Sequence, residues 1–261
     1  MNGRVLFRMD KLFRQFLIKR NLFYVEEAQR RLLSQFDNIG NDADRAANEW
    51  QGQNGQHFNP DPRDPATFYE DANEVGDEFY MLLSGMREQI RLSVVAGIFH
   101  ERDKQLRDWL TREIRQWHSG DNATLKVWSA KFCEIVDLLE SFGWNVHSAD
   151  YFRTLDACRL VVNAYKHGEG SALDELRNTF PEYFDHPLRG IGGVFSDTKH
   201  CKHEHLRVTD PQLQAFSDAI VAFWRDAPEI ILDSQTTNIP KWLHKAIIKD
   251  CTDLQQANKN D

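Results

Sequence analysis

The chain predicts an all-α fold, and three observations predict it. Apolar residues recur at helical spacing through most segments, period-two alternation is almost absent, and the gaps between segments hold helix stop and start residues. At 261 residues, 41% hydrophobic and 28% charged, it can bury a substantial core and matches ordinary globular composition. No repeat of solenoid length runs through it.

Taken in order, residues 8–36 place Leu12, Phe13, Phe16, Leu17, Phe23, Val25, Ala28, Leu32, Leu33 and Phe36 at helical spacing, with a break expected near Asn21. A short helix is expected over residues 42–50. The polar stretch QGQNGQHFNPDPRDP is the clearest boundary, and Asp64-Pro65 inside it reads as a helix start. From Ala66 the pattern stays helical almost to His118, with Gly76, Gly85 and Gly97 as points where it kinks or divides. HSGDN is a stop. One helix is expected over residues 124–142, closed by Gly143, and Ser148 or Asp150 is expected to cap the next. Ser171-Ala-Leu-Asp-Glu has the form of a capping signal for a short helix ended by Pro181, HPLRGIGGVF reads as loop, and a short strand is expected near residues 206–208. Asp210-Pro211 starts a helix to Trp224, Asn238-Ile-Pro opens the last one, and QQANKND reads as a frayed tail. The expected organisation is an N-terminal helical arm (1–53), a linker (54–65), a helical bundle (66–228), and a C-terminal helix with tail (229–261).

Charge and composition exclude several classes. A formal charge of −8 creates no global field for nucleic acid, although Arg4, Arg8, Lys11, Arg14, Lys19 and Arg20 make the N-terminal arm locally basic. Charges interrupt every apolar run of that arm, so it reads as neither signal peptide nor membrane span, but as a helix docked on its own protein. Cys133, Cys158, Cys201 and Cys251 form no CxxC pair; reduced thiols and a cytoplasmic setting are expected, with Cys133 and Cys158 buried. The chain has no GxxxxGK[ST] loop, no strand-linked GxGxxG and no GxSxG elbow, and no cofactor is expected. His200, Cys201, His203 and His205 in KHCKHEH are zinc-binding residue types, but a second ligand pair is missing. A polar surface turn without metal is the expectation there.

The stretch RLVVNAYKHGEG carries the candidate chemistry. Arg159, Asn163 and His167 stand four residues apart, on nearly one face of a helix that stops at Gly168. Histidine moves protons near neutrality and arginine stabilises phosphate charge. An RNA 2′-hydroxyl attacks its own phosphate with only such help, so no metal is needed. The same Lys166 and His167 also complement the negative end of the helix dipole, so a catalytic edge and a capped helix end both stay open. Glu101, in FHERDKQLRDWL, follows a buried run and is a candidate to orient Arg159 or His167.

With NAYKHGEGS, and less specifically with ERDKQLRDWL, LRNTFPEYF and DPQLQAFSDAIVAFW, the chain resembles the HEPN superfamily of all-α bundles in bacterial toxins and antiviral defence. Asn163 and His167 match the second and last positions of its R-N-x-x-x-H form; Val162 occupies the arginine position, and Arg159 is the nearest preceding arginine. The resemblance implies a metal-independent endoribonuclease, or an effector subunit, of a bacterial stress or phage-defence system. His167 would be the general acid/base, Arg159 would hold phosphate charge, Asn163 would position one of them, and Glu101 would support them. RNA would be the substrate and a homodimer the working form. The alternative is a HEPN-like interaction module without catalysis, whose basic arm binds a protein partner or a larger complex. No membrane partner is expected.

Overall fold

A computed structural model describes residues 3–55, 66–185 and 198–260. Its elements are β1 (Val5–Arg8), α1 (Lys11–Arg31), α2 (Ile39–Asn54), α3 (Ala66–Ile114), α4 (Asn122–Ser129), α5 (Phe132–Ser141), α6 (Phe152–His167), α7 (Ser171–Thr179), α8 (Asp210–Asp226), β2 (Ile230–Leu232) and α9 (Lys241–Asn260), with short 3₁₀ turns between some of them. Among the described residues the fold is all-α apart from one two-stranded ribbon. The expected helix start at Asp64-Pro65 and the loop HPLRGIGGVF lie outside the described residues.

The C-terminal half of α3 is the centre of the bundle. Trp109, Leu110 and Ile114 are fully buried on it, in one core with Ile135 and Leu138 of α5, Leu155 and Leu160 of α6, and Phe223 and Trp224 of α8. The N-terminal half of α3 instead pairs with α2, where the rings of Trp50 and Phe68 meet at 5.3 Å. The glycines of α3 do not divide it. Gly97 serves close packing: a β-carbon there would stand 2.3 Å from the Tyr24 hydroxyl of α1.

The arm begins as a strand, not a helix. β1 pairs antiparallel with β2, and Trp109 Nε1 and Trp117 Nε1 donate to the carbonyls of Arg8 (3.0 Å) and Leu6 (2.9 Å). Phe7 is buried between the rings of Trp109 and Phe142, 5.6 and 4.5 Å away. Asp10 then caps α1 by accepting from the backbone N–H groups of Leu12 and Phe13. The break expected at Asn21 is absent. Its amide is buried and donates to Ser217 Oγ of α8 at 2.9 Å, which satisfies the polar group inside a continuous helix.

The helix expected over residues 124–142 is two helices, because Ala130 and Lys131 are extended. Arg107 of α3 donates through Nη1 to the carbonyls of Val127 and Trp128, replacing the bonds that α4 loses where it stops. Glu134 accepts from the Lys131 N–H at 2.7 Å and starts α5. Neither Ser148 nor Asp150 caps α6, whose N-cap is Tyr151; Ser171 is the first residue of α7 and not its cap. Residues 203–205 form a 3₁₀ turn, with Leu206 making only an isolated bridge to Phe184 in place of a strand. Thr209 caps α8 and accepts from Gln212 N–H. The last helix continues through Asn260, so the expected frayed tail is helical.

Arg102 is the unusual member of this core. It is 2% exposed, and its guanidinium carbon lies 5.5, 5.1 and 4.8 Å from the ring centroids of Phe99, Phe132 and Phe223. Nε and Nη2 are sealed from solvent without a hydrogen-bond partner among the described residues. Burial pushes its pKa down to about 10, so it remains charged at neutral pH. Replacing such a charge by an apolar side chain removes its desolvation penalty. Arg102→Met should therefore keep or raise stability, by about 1–2 kcal/mol, while Phe132→Ala should lower it by roughly 2–4 kcal/mol. Urea unfolding of both variants measures this. A loss above about 1 kcal/mol in Arg102→Met would show that cation–π attraction outweighs burial.

Candidate functional site

The α6 stripe is formed by a helix whose other faces are fully committed to the core. Leu155, Cys158, Leu160, Val161, Val162 and Ala164 are buried, and Tyr165 meets Ser93 of α3, hydroxyl to hydroxyl, at 2.9 Å. Gly168 ends the helix at φ +66°, a conformation L side chains rarely adopt, while its N–H still reaches Ala164 O. Lys166 and His167 occupy the last turn, where cations are favoured by the dipole.

The three stripe residues meet different surroundings. His167 is exposed and makes no hydrogen bond or ion pair with a described residue. Asn163 is half-buried. Arg159 is engaged through two of its nitrogens: Nε donates to Asp156 Oδ1 at 2.6 Å and Nη2 donates to Glu175 Oε1 at 3.2 Å, while the guanidinium lies 5.9 Å from the Phe132 ring centroid. Two carboxylates thus neutralise the guanidinium of the stripe. Val162, in the arginine position of the R-N-x-x-x-H form, is 1% exposed.

Glu101 faces away from this edge. It pairs with Arg20 of α1 at 2.8 Å and accepts from Gln105 Nε2 at 3.1 Å, beside a cavity of about 340 Å³ between α1, α3 and α8. The neighbour of the α6 end is instead His100, whose pKa is lowered by burial and by Lys166. A second residue absent from the sequence-derived set is Glu169, in the loop after His167. Its carboxylate accepts from the N–H and Nδ1 of His203, each at 3.2 Å, and from Arg177 Nη2 at 3.1 Å. These contacts, the His203 bonds foremost, hold the Glu169 carboxyl below the usual range. The two His-bearing motifs are therefore joined through Glu169. Arg177 Nε donates to the carbonyl of Cys201, which is itself buried. Among the described residues no group of three or more His, Cys, Asp or Glu side chains is placed to hold a metal ion. No described helix is long and apolar enough to cross a membrane. Cys133, expected inside, is exposed, as is Cys251; Cys158 and Cys201 are buried.

A further positive surface lies between α4 and α9. Lys126, Lys241, Lys245 and Lys249 line a groove of about 970 Å³ whose floor includes Leu125, Trp242 and Ala246. The four-residue spacing in KWLHKAIIK was readable, but its junction with α4 was not. Asp250 makes that junction. It is 2% exposed and accepts from the N–H groups of Asn122 (2.8 Å) and Ala123 (3.0 Å) at the start of α4, with His118 Nε2 at 2.9 Å. Gly120 is required beside it, with φ +123° and space that a β-carbon would share with the carboxylate at 2.4 Å.

Burial alone would raise the Asp250 pKa, but the His118, Ala123 and Asn122 contacts overcome it and lower it to about 2. A depressed carboxyl stabilises the fold fully above its unfolded pKa, about 3.9, and loses that contribution as pH falls toward 2. Asp250→Asn should cost roughly 2–3 kcal/mol at pH 7. The gap from wild type should shrink as pH drops below about 4; denaturant titrations across that range test it, and a gap independent of pH would refute it. No protein-family model, curated protein or solved structure matches this chain.

Proposed function

We propose that this chain is a HEPN-like helical interaction module of a bacterial stress or phage-defence system, which binds a protein partner through its N-terminal arm and does not cut RNA at its α6 edge. The observation that carries this reading is the state of Arg159, forked between Asp156 and Glu175 while a buried Val162 stands in the arginine position. A guanidinium already neutralised by two carboxylates offers little to a phosphate whose charge grows in the transition state. Apolar surface supports the same reading. Leu12, Phe16 and Phe23 are 75%, 55% and 61% exposed on α1, and Phe79, Tyr80, Met81, Leu82 and Met86 are exposed on the N-terminal half of α3. Clustered exposed apolar side chains mark interaction surfaces, and the arm is the part the sequence assigns to a protein partner. A homodimer would cover such surface as well as a foreign partner would.

The second reading, a metal-independent endoribonuclease, is favoured by one observation: His167 is exposed and free to meet a substrate. The two readings separate cleanly. Full-length protein should leave single-stranded RNA intact in EDTA, in both its monomeric and its associated fractions. Arg159→Ala should lower stability by about 0.5–1 kcal/mol, since it removes two partly exposed ion pairs, and His167→Ala should leave stability unchanged. RNA products ending in 2′,3′-cyclic phosphate, formed by the wild type and lost in His167→Ala at equal stability, would overturn the interaction reading. Loss of a proton donor costs on the order of 10²–10⁴ in rate, so the effect would be unmistakable.

A further inference from the structure

We propose that the groove between α4 and α9 is a docking site for an acidic amphipathic helix of a partner protein. Three features converge on that occupant. The first is charge. Lys126, Lys241, Lys245 and Lys249 surround the groove, no Asp or Glu lines it, and none of the four ammonium groups has an ion-pair partner among the described residues. In a chain with 40 acidic and 32 basic side chains, four unpaired cations around one groove are a local reversal of sign. The second is spacing. Lys241, Lys245 and Lys249 follow one side of α9 at four-residue steps, about 6 Å apart along its axis. That row matches carboxylates one turn apart on a helix lying alongside. The third is the floor. Leu125 is 65% exposed there, flanked by the half-buried Trp242 and Ala246. Apolar side chains at helical spacing seat in such a floor while the acidic face meets the lysines.

Other polyanions fit less well. The floor is mainly aliphatic and holds a single aromatic ring, so it lacks a platform on which successive bases would stack. It contains no arginine to grip phosphate in a fork. The groove is held open by Asp250, which fixes α9 against the first turn of α4 and keeps the lysine row opposite Leu125.

The inference takes from the interaction reading only that the partner is a protein. Its test reads peptide binding and not RNA cleavage, so failure of either leaves the other legible. A displayed library of random 16-residue peptides is selected on the full-length protein, and in parallel on the Leu125→Asp/Lys245→Glu variant. Both positions are at the surface, and circular dichroism with thermal melting verifies that the variant is folded. The enriched peptides should be acidic, with apolar residues at helical spacing, and should not enrich on the variant. The best of them, fluorescein-labelled, should bind wild type at least about tenfold more tightly than Lys245→Glu or Leu125→Asp alone, and more weakly as salt rises. Enrichment of neutral or basic peptides, enrichment that survives in the variant, or no enrichment would overturn the proposal. So would tighter binding of a 20-nucleotide oligouridylate, or of phosphatidylserine-containing vesicles, if the same substitutions abolished it.

Discussion

The architecture depends on one constraint of length. A helix of 49 residues extends about 73 Å, far beyond the span of a single core. One half of α3 is therefore inside and the other outside. From Leu92 onward, buried side chains occur on more than one side of the helix, and α1, α4, α6, α8 and β1 pack against it. Ahead of that point α2 packs along it and Arg91 reaches Asp210 of α8, while Tyr80, Met81, Leu82 and Met86 present aromatic, aliphatic and methionine side chains to solvent. The division of the molecule into a packed bundle and an exposed hairpin follows from this single element.

Within the bundle, α3 supplies polar groups as well as apolar ones. Arg107 completes α4, Trp109 holds β1, and Arg102 sits among rings from α3, α5 and α8. Phe132 lies between two of these systems, since Arg102 and Arg159 both approach its ring. The α6 stripe is thus tied to the buried arginine through a shared aromatic side chain. A change in how Arg159 is held would be felt at Phe132 before it reached the rest of the core.

What could be read from sequence was what neighbouring residues decide. Gly143 and Gly168 stop helices, Pro211 opens one, and the apolar spacing of α5 and α6 declares their buried faces; each is a local rule with a local cause. The misreadings share a distant cause. The break between α4 and α5 needs Arg107, twenty residues upstream of Val127, and the unbroken α1 needs Ser217 across the bundle. The candidate site divides in the same way. The alignment of Arg159, Asn163 and His167 on one helix was legible, but the carboxylate of Glu175 that occupies Arg159 comes from the next helix. Glu169 was passed over because its partners, His203 and Arg177, are brought to it only by the fold. The lysine row of α9 was visible as a pattern and meant little until α4 faced it.

The burial of Cys158 gives the molecule an internal clock. Its thiol lies on the core side of α6, fully enclosed, and burial pushes its pKa up to about 12 despite the nearby Arg102. Alkylation requires a thiolate that reagent can touch, and neither condition holds while α6 stays seated. Cys133 and Cys251 are open to reagent throughout. The interval between the modification of those two and that of Cys158 therefore reports how often the centre of the bundle opens, without any label being introduced.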